Sequence, residues 1–154
     1  MIPIYEIHPM LVHFPIVLWL VAEAIAVVIL FRGGDLSARR HWPMTAFYAL
    51  LGGTLVAALA AVFGDMALDH AVAAGFNPAP MELHETVALT TLALFGLHTV
   101  LRLLAIWRAY SLTGIRGWVS ELPGLIGICL LIYTAYLGGE LVYHIGVNVA
   151  AVAR

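Results

Sequence analysis

Four apolar runs, each separated from the next by polar residues, set the layout of the chain. They cover roughly residues 11–31, 43–64, 86–107 and 122–142. Each is close to the ~20 residues that an α-helix needs to cross a hydrocarbon core of about 30 Å. The period-two alternation of a membrane β-barrel is absent, and in lipid only helices otherwise satisfy their own backbone groups. The pattern therefore predicts an all-α protein, an integral membrane antiparallel four-helix bundle forming a single domain over residues 1–154. The first and third connections are short, so the helices they join are expected to be antiparallel neighbours. The second is longer, and its Asn77-Pro78-Ala79-Pro80 reads as a turn. The first run has no positive segment before it and no A-x-A-like site at its end, and Arg32 follows it, so it reads as a retained span.

Composition fits this layout. The 154 residues are 63% hydrophobic and only 10% charged, with a mean hydropathy of +1.00. A soluble domain carries about 25% charged residues, so this chain lacks the polar surface for one. A net charge of -2 offers no basic field to nucleic acid. The single Cys129 excludes a disulfide framework or a multi-cysteine metal site. No Ser–His–acid arrangement, phosphate-binding glycine loop or zinc-protease motif is present, which argues against a hydrolase or an ATPase.

Arginine placement gives a direction. There is no lysine; Arg32, Arg39 and Arg40 lie between the first two spans, and Arg108 and Arg116 between the last two. The middle connection carries Asp65, Asp69 and Glu82 instead. By the positive-inside rule the arginine loops are cytoplasmic and both termini are periplasmic in a bacterial inner membrane. Arg154 alone counts against this.

Seven histidines in so apolar a chain are its compositional anomaly. His8, His13, His70, His84 and His144 fall toward the outer face, His41 at the cytoplasmic start of the second span and His98 deep in the third. At about 100° per residue, His84, Thr91, Phe95, His98 and Arg102 share one stripe, which should face protein because unpaired polar groups are costly in lipid. The same count aligns Cys129, Tyr133, Tyr136, Glu140 and His144 on the fourth span, and His13, Val17, Leu20, Ala24 and Val27 on the first, with Glu23 at the edge. The second span is rich in small residues and is assigned to packing.

His13, His84 and His144 are thus expected to converge near the outer end, with Glu140 beside them. Two of the three could ligate a b-type haem, with Phe14, Trp19, Phe95, Tyr133, Tyr136 and Tyr143 as candidate walls, unless these aromatics are bundle core or lipid-facing surface. Alternatively His13, His84, Glu140 and His144 could hold zinc, copper or iron, supported by Glu85, Asp65 or Asp69. His98 and Arg102 are one turn apart, and with Glu23 they are expected to form a structural polar lock. His8, His41 and His70 read as headgroup residues. The spacing of His84 and His98, 14 residues or about 21 Å along a helix, resembles that of cytochrome b. Val27 and Leu130 stand where the opposing histidines would be needed, which argues against two bis-histidine haems.

Two segments carry a resemblance. Ile7-His8-Pro9-Met10-Leu11-Val12-His13-Phe14-Pro15 and Gly138-Gly139-Glu140-Leu141-Val142-Tyr143-His144-Ile145-Gly146-Val147, with Gly64-Asp65 and Leu83-His84-Glu85, resemble the signatures of a bacterial membrane family catalogued as domain of unknown function 2231. The resemblance implies a four-helix membrane domain. Some members are joined to cytochrome c-like or Rieske-like modules, which implies redox surroundings and identifies no reaction. It marks His8, His13, Glu140 and His144 as motif positions. Pro15 should bend the first span and tilt His13 inward. The leading expectation is a haem b electron-transfer protein working between a membrane partner and a periplasmic redox protein. The alternatives are a small-ion protein and a non-catalytic subunit of a redox complex. The expected partners are the lipid bilayer, the redox protein and a second copy of the chain.

Overall fold

The computed structural model describes residues 3–147 and 149, so Arg154 lies outside the described residues. The order is α1 (Ile4–Leu11), α2 (His13–Phe31), α3 (His41–Ala73), α4 (Pro78–Trp107) and α5 (Gly114–Glu140), followed by one π-helical turn, Leu141–Ile145. Among the described residues there is no strand. Four stretches are long and apolar enough to cross a membrane: Glu6–Phe31, His41–Ala73, Pro78–Trp107 and Gly114–Ile145.

The helices outrun the apolar runs that announced them. α3 continues through Asp65 and Asp69 to Ala73, α4 begins before Glu82 and Glu85, and α5 begins seven residues before Glu121. Asp65, Asp69, Glu82 and Glu85 lie within a few turns of the helix ends, where such side chains can reach the headgroup zone, whereas Glu121 is buried among the helices. The connection between α3 and α4 is consequently short rather than long. It closes with Gly75 at φ +93° and the Phe76 N–H on the Ala71 carbonyl at 3.1 Å. The segment expected to be a turn is instead the start of α4. Asn77 caps it, its Oδ1 accepting from the Ala79 N–H at 3.1 Å, and Pro78 stands where a helix has no use for an N–H.

α2 packs on α3 and α5, α3 on α4, α4 on α5, and α1 lies against α3. One apolar cluster joins Trp19, Ala22, Leu50, Phe95 and Leu131; another, nearer the arginines, joins Ala26, Leu30, Leu36, Ala105 and Leu112. The Trp19 and Phe95 rings stack at 4.0 Å. The Trp19 indole N–H donates to Thr54 Oγ1 at 3.3 Å, and Thr54 meets the Thr99 hydroxyl at 3.0 Å, so the centre leaves these donors satisfied.

Two inward faces differ from the expected ones. On α2 the buried set is Pro15, Trp19, Ala22, Glu23, Ala26 and Leu30; His13, Val17, Leu20 and Ala24 are exposed. On α5 it is Gly117, Glu121, Gly124, Gly127 and Leu131; Cys129, Tyr133 and Tyr136 are exposed. Pro15 falls in the first turn of α2, where its missing N–H disturbs little; the helix is interrupted at Val12 instead, and His13 is exposed.

At the arginine end one carboxylate ties two connections together. Asp35 Oδ1 accepts from Ser37 N, Ser37 Oγ and Leu112 N at 2.9, 2.7 and 2.9 Å, and Oδ2 from Ser111 Oγ at 2.8 Å. Partial burial pushes the Asp35 carboxyl up, but these hydrogen bonds together outweigh it and hold the carboxyl below its ordinary value.

Candidate functional site

The ionisable side chains buried deepest form one group. Glu23 comes from α2, His98 and Arg102 from one face of α4, and Glu121 from α5. All four are buried, Glu121 and His98 completely. Charged groups are rare in such surroundings unless paired or ligated. Counting 1.5 Å per residue from Phe31, Glu23 lies about 12 Å inside the arginine end of its helix.

His98 is the hub. Its Nδ1 lies 3.1 Å from Glu23 Oε1 and its Nε2 3.4 Å from Glu121 Oε2. Arg102 Nη1 is 3.6 Å from the same Glu121 oxygen, while Nη2 donates to the Leu36 carbonyl at 3.1 Å. The contacts with Glu23 and Glu121 are ion pairs, and the contact with Leu36 is a hydrogen bond. Apart from these ion pairs, both oxygens of Glu23, both of Glu121, both His98 nitrogens and Arg102 Nε are buried without a well-aligned hydrogen bond. Such imperfectly paired atoms are costly in a low-dielectric interior. Gly124, one turn from Glu121, makes the room: a Cβ there would overlap the Glu23 carboxylate and the His98 ring. Glu23, His98 and Glu121 each present one ligand atom, all within 4.8 Å of one another. One imidazole and two carboxylates form a donor set that suits zinc or iron, with a coordination position left over.

The outer histidines are arranged differently. His13 is exposed beside Phe14, Val17 and Leu18. The His144 side chain is 71% exposed and its Nδ1 pairs with Glu140 Oε2 at 2.8 Å, one turn away. His84 is half-buried against Gly138, and its ring meets that of His8 edge-on with centroids 6.5 Å apart. His8 itself is half-buried, with Nδ1 2.8 Å from the Ala60 carbonyl and Gly64 under its ring. Among the described residues, His13, His84, Glu140 and His144 are not gathered as a metal-ligand group. Of the six aromatics considered as haem walls, Trp19 and Phe95 are core, and Phe14, Tyr133, Tyr136 and Tyr143 are exposed.

The structure brings Glu23, His98 and Arg102 together, and adds Glu121. Glu121 stands one residue before the fourth apolar run and is absent from the candidate residues of the sequence. The available signal was the stripe Gly117, Glu121, Gly124, Gly127, in which an acid recurs among glycines on one helical face.

The model of the family described as predicted membrane protein (DUF2231) matches residues 5–151. The chain belongs to that family. No curated protein and no solved structure matches it. In this DUF2231 protein the two signature segments, residues 7–15 and 138–147, meet around His84, which touches His8 of one and Gly138 of the other. The buried acid–histidine group lies outside both segments.

Proposed function

We propose that this DUF2231 protein holds one divalent transition-metal ion, zinc or iron, at Glu23, His98 and Glu121 inside the bundle, with Arg102 as a fixed countercharge. The observation that carries the reading is the convergence of two buried carboxylates and one imidazole, their ligand atoms within 4.8 Å of one another, beside Gly124. Charge arithmetic adds to it. Two carboxylates and Arg102 leave one net negative charge, which a protonated His98 cancels. A divalent ion that takes the place of that proton leaves one net positive charge, which an anionic ligand such as hydroxide at the open position would cancel. Copper(I) is disfavoured because the group has no thiolate or thioether.

The competing reading is a closed polar lock in which a protonated His98 donates from Nδ1 to Glu23 and from Nε2 to Glu121. The placement of the two ring nitrogens favours it. Haem b has less support as a cofactor. It needs two imidazoles facing one slot, and the His13 and His144 side chains are exposed. The inner bacterial membrane, with both termini periplasmic, remains our reading of the orientation, resting on the five arginines of the two loops. Electron transfer to a periplasmic protein belongs only to the iron form of the proposal, since zinc has no redox chemistry, and self-association is compatible with either.

Elemental analysis of the detergent-purified chain tests the metal reading. About one zinc or iron per chain is expected, falling tenfold or more in Glu121→Gln and in His98→Gln. Added zinc should raise the melting temperature of metal-stripped wild type. Wild type that neither carries nor responds to metal overturns the reading in favour of the lock. A Soret band lost in His84→Ala would overturn it in favour of haem.

A further inference from the structure

At the arginine end, α4 and α5 diverge around the connection 108–113 and leave a groove of about 760 Å³ between them. Its volume lies within the ~300–1,000 Å³ typical of small-molecule sites. Its lower walls are aliphatic, including Leu101 and Leu104 from α4 and Val119 from α5, and its mouth carries Arg108, Tyr110 and Arg116. Trp107 ends one span and Gly114 begins the next, so the mouth lies at the level where hydrocarbon gives way to headgroups.

The charges at that mouth are unspent. Arg108 and Arg116 are exposed, and among the described residues neither forms an ion pair. Each guanidinium instead lies over an aromatic ring, Arg108 over Trp107 at 5.6 Å and Arg116 over Tyr110 at 5.5 Å. Such stacking holds the planar group in place while leaving its edge N–H donors available. The nearest acid in the connections, Asp35, has both oxygens occupied by Ser37, Ser111 and Leu112 and offers neither arginine a partner.

We propose that this groove binds one anionic glycerophospholipid, with an acyl chain along Leu101, Leu104 and Val119 and the phosphate between Arg108 and Arg116. Guanidinium pairs bind phosphate oxygens bidentately, and basic pockets between transmembrane helices at the interface suit anionic headgroups. A choline headgroup would bring a fixed positive charge toward two arginines, so the groove discriminates against phosphatidylcholine. Inorganic phosphate has the charge without the chain and makes no use of the aliphatic walls.

Native mass spectrometry of the chain after exchange into equal phosphatidylglycerol and phosphatidylcholine tests this. The expected result is one phosphatidylglycerol retained per chain, preferred about tenfold or more. Arg108→Gln with Arg116→Gln should abolish the preference, and Leu104→Trp, which fills the groove with both arginines intact, should remove the retained lipid. Arg32→Gln with Arg40→Gln should change neither. Equal retention of the two lipids overturns the proposal. So does loss of the preference in the Arg32 and Arg40 variant, which would assign it to diffuse surface charge. Displacement of the lipid by millimolar inorganic phosphate would assign the site to the free anion and would also overturn it.

Discussion

The two ends of the bundle use histidine in opposite ways. Toward the arginine end, His98 is completely enclosed and held between two carboxylates, with an arginine one turn away. Toward the other end, His13 and His144 are exposed, and His84 and His8 share a half-buried contact beside two glycines. The richer supply of histidine is at the end away from the arginine loops, yet the interlocked chemistry is at the poorer one. In a bilayer it is burial against other helices, and not the number of ionisable residues, that turns a side chain into part of a site.

Substitution separates the two ends most sharply at the buried acids. Glu121→Ala leaves Arg102 buried without its ion-pair partner and His98 with Glu23 alone. It should cost about 3–5 kcal/mol, read as a large fall in the melting temperature of detergent-solubilised protein. Little loss would mean that water reaches the group and would undo the contrast. The next largest effect should come from glycine. Gly124→Ala forces a methyl into the Glu23 carboxylate and His98 ring and should cost about 1–3 kcal/mol. Gly139→Ala meets only the Tyr143 ring at 4.0 Å and should be neutral or slightly stabilising.

A smaller effect is expected at Asp35, where the loss of four hydrogen bonds in Asp35→Ala should cost on the order of 1–2 kcal/mol, because water replaces most of them. The pH dependence has a defined sign. Asp35 is held below its ordinary value in the folded chain, so its contribution is complete above the usual carboxylate range and is lost as pH falls through the lowered folded value. An acid titration of wild type against Asp35→Asn should show the two melting temperatures converging at low pH. The smallest effect belongs to the end away from the arginine loops: His144→Ala removes an exposed pair with Glu140 and should change stability by less than about 0.5 kcal/mol. A larger loss there would point to a partner on that face.

The four helices and the inward face of α4 were legible in the sequence, for one reason. On α4 the inward residues include Thr91, His98, Thr99 and Arg102, which stand out against an apolar background. The inward faces of α2 and α5 were misread because aromatic and aliphatic side chains face lipid as readily as core. On α5 the face that packs is the one with the least side chain, Gly117, Gly124 and Gly127, and the tyrosines turn outward. The first and last turns of the spans were lost for a related reason. Asp65, Asp69, Glu85 and Glu121 ended the apolar runs but not the helices, and Glu121 went with them.

Trp19 gives the molecule an optical gauge of its own interior. It is almost wholly enclosed, stacked on Phe95 and hydrogen-bonded to Thr54, while Trp42 and Trp107 are exposed. It also stands one helical turn before Glu23 on the same buried face of α2. Its emission is expected to the blue of that from Trp42 and Trp107, and a Trp118→Phe background removes the remaining half-buried indole. Whatever occupies or vacates the space beside Gly124 changes the surroundings of a fluorophore that the chain already carries.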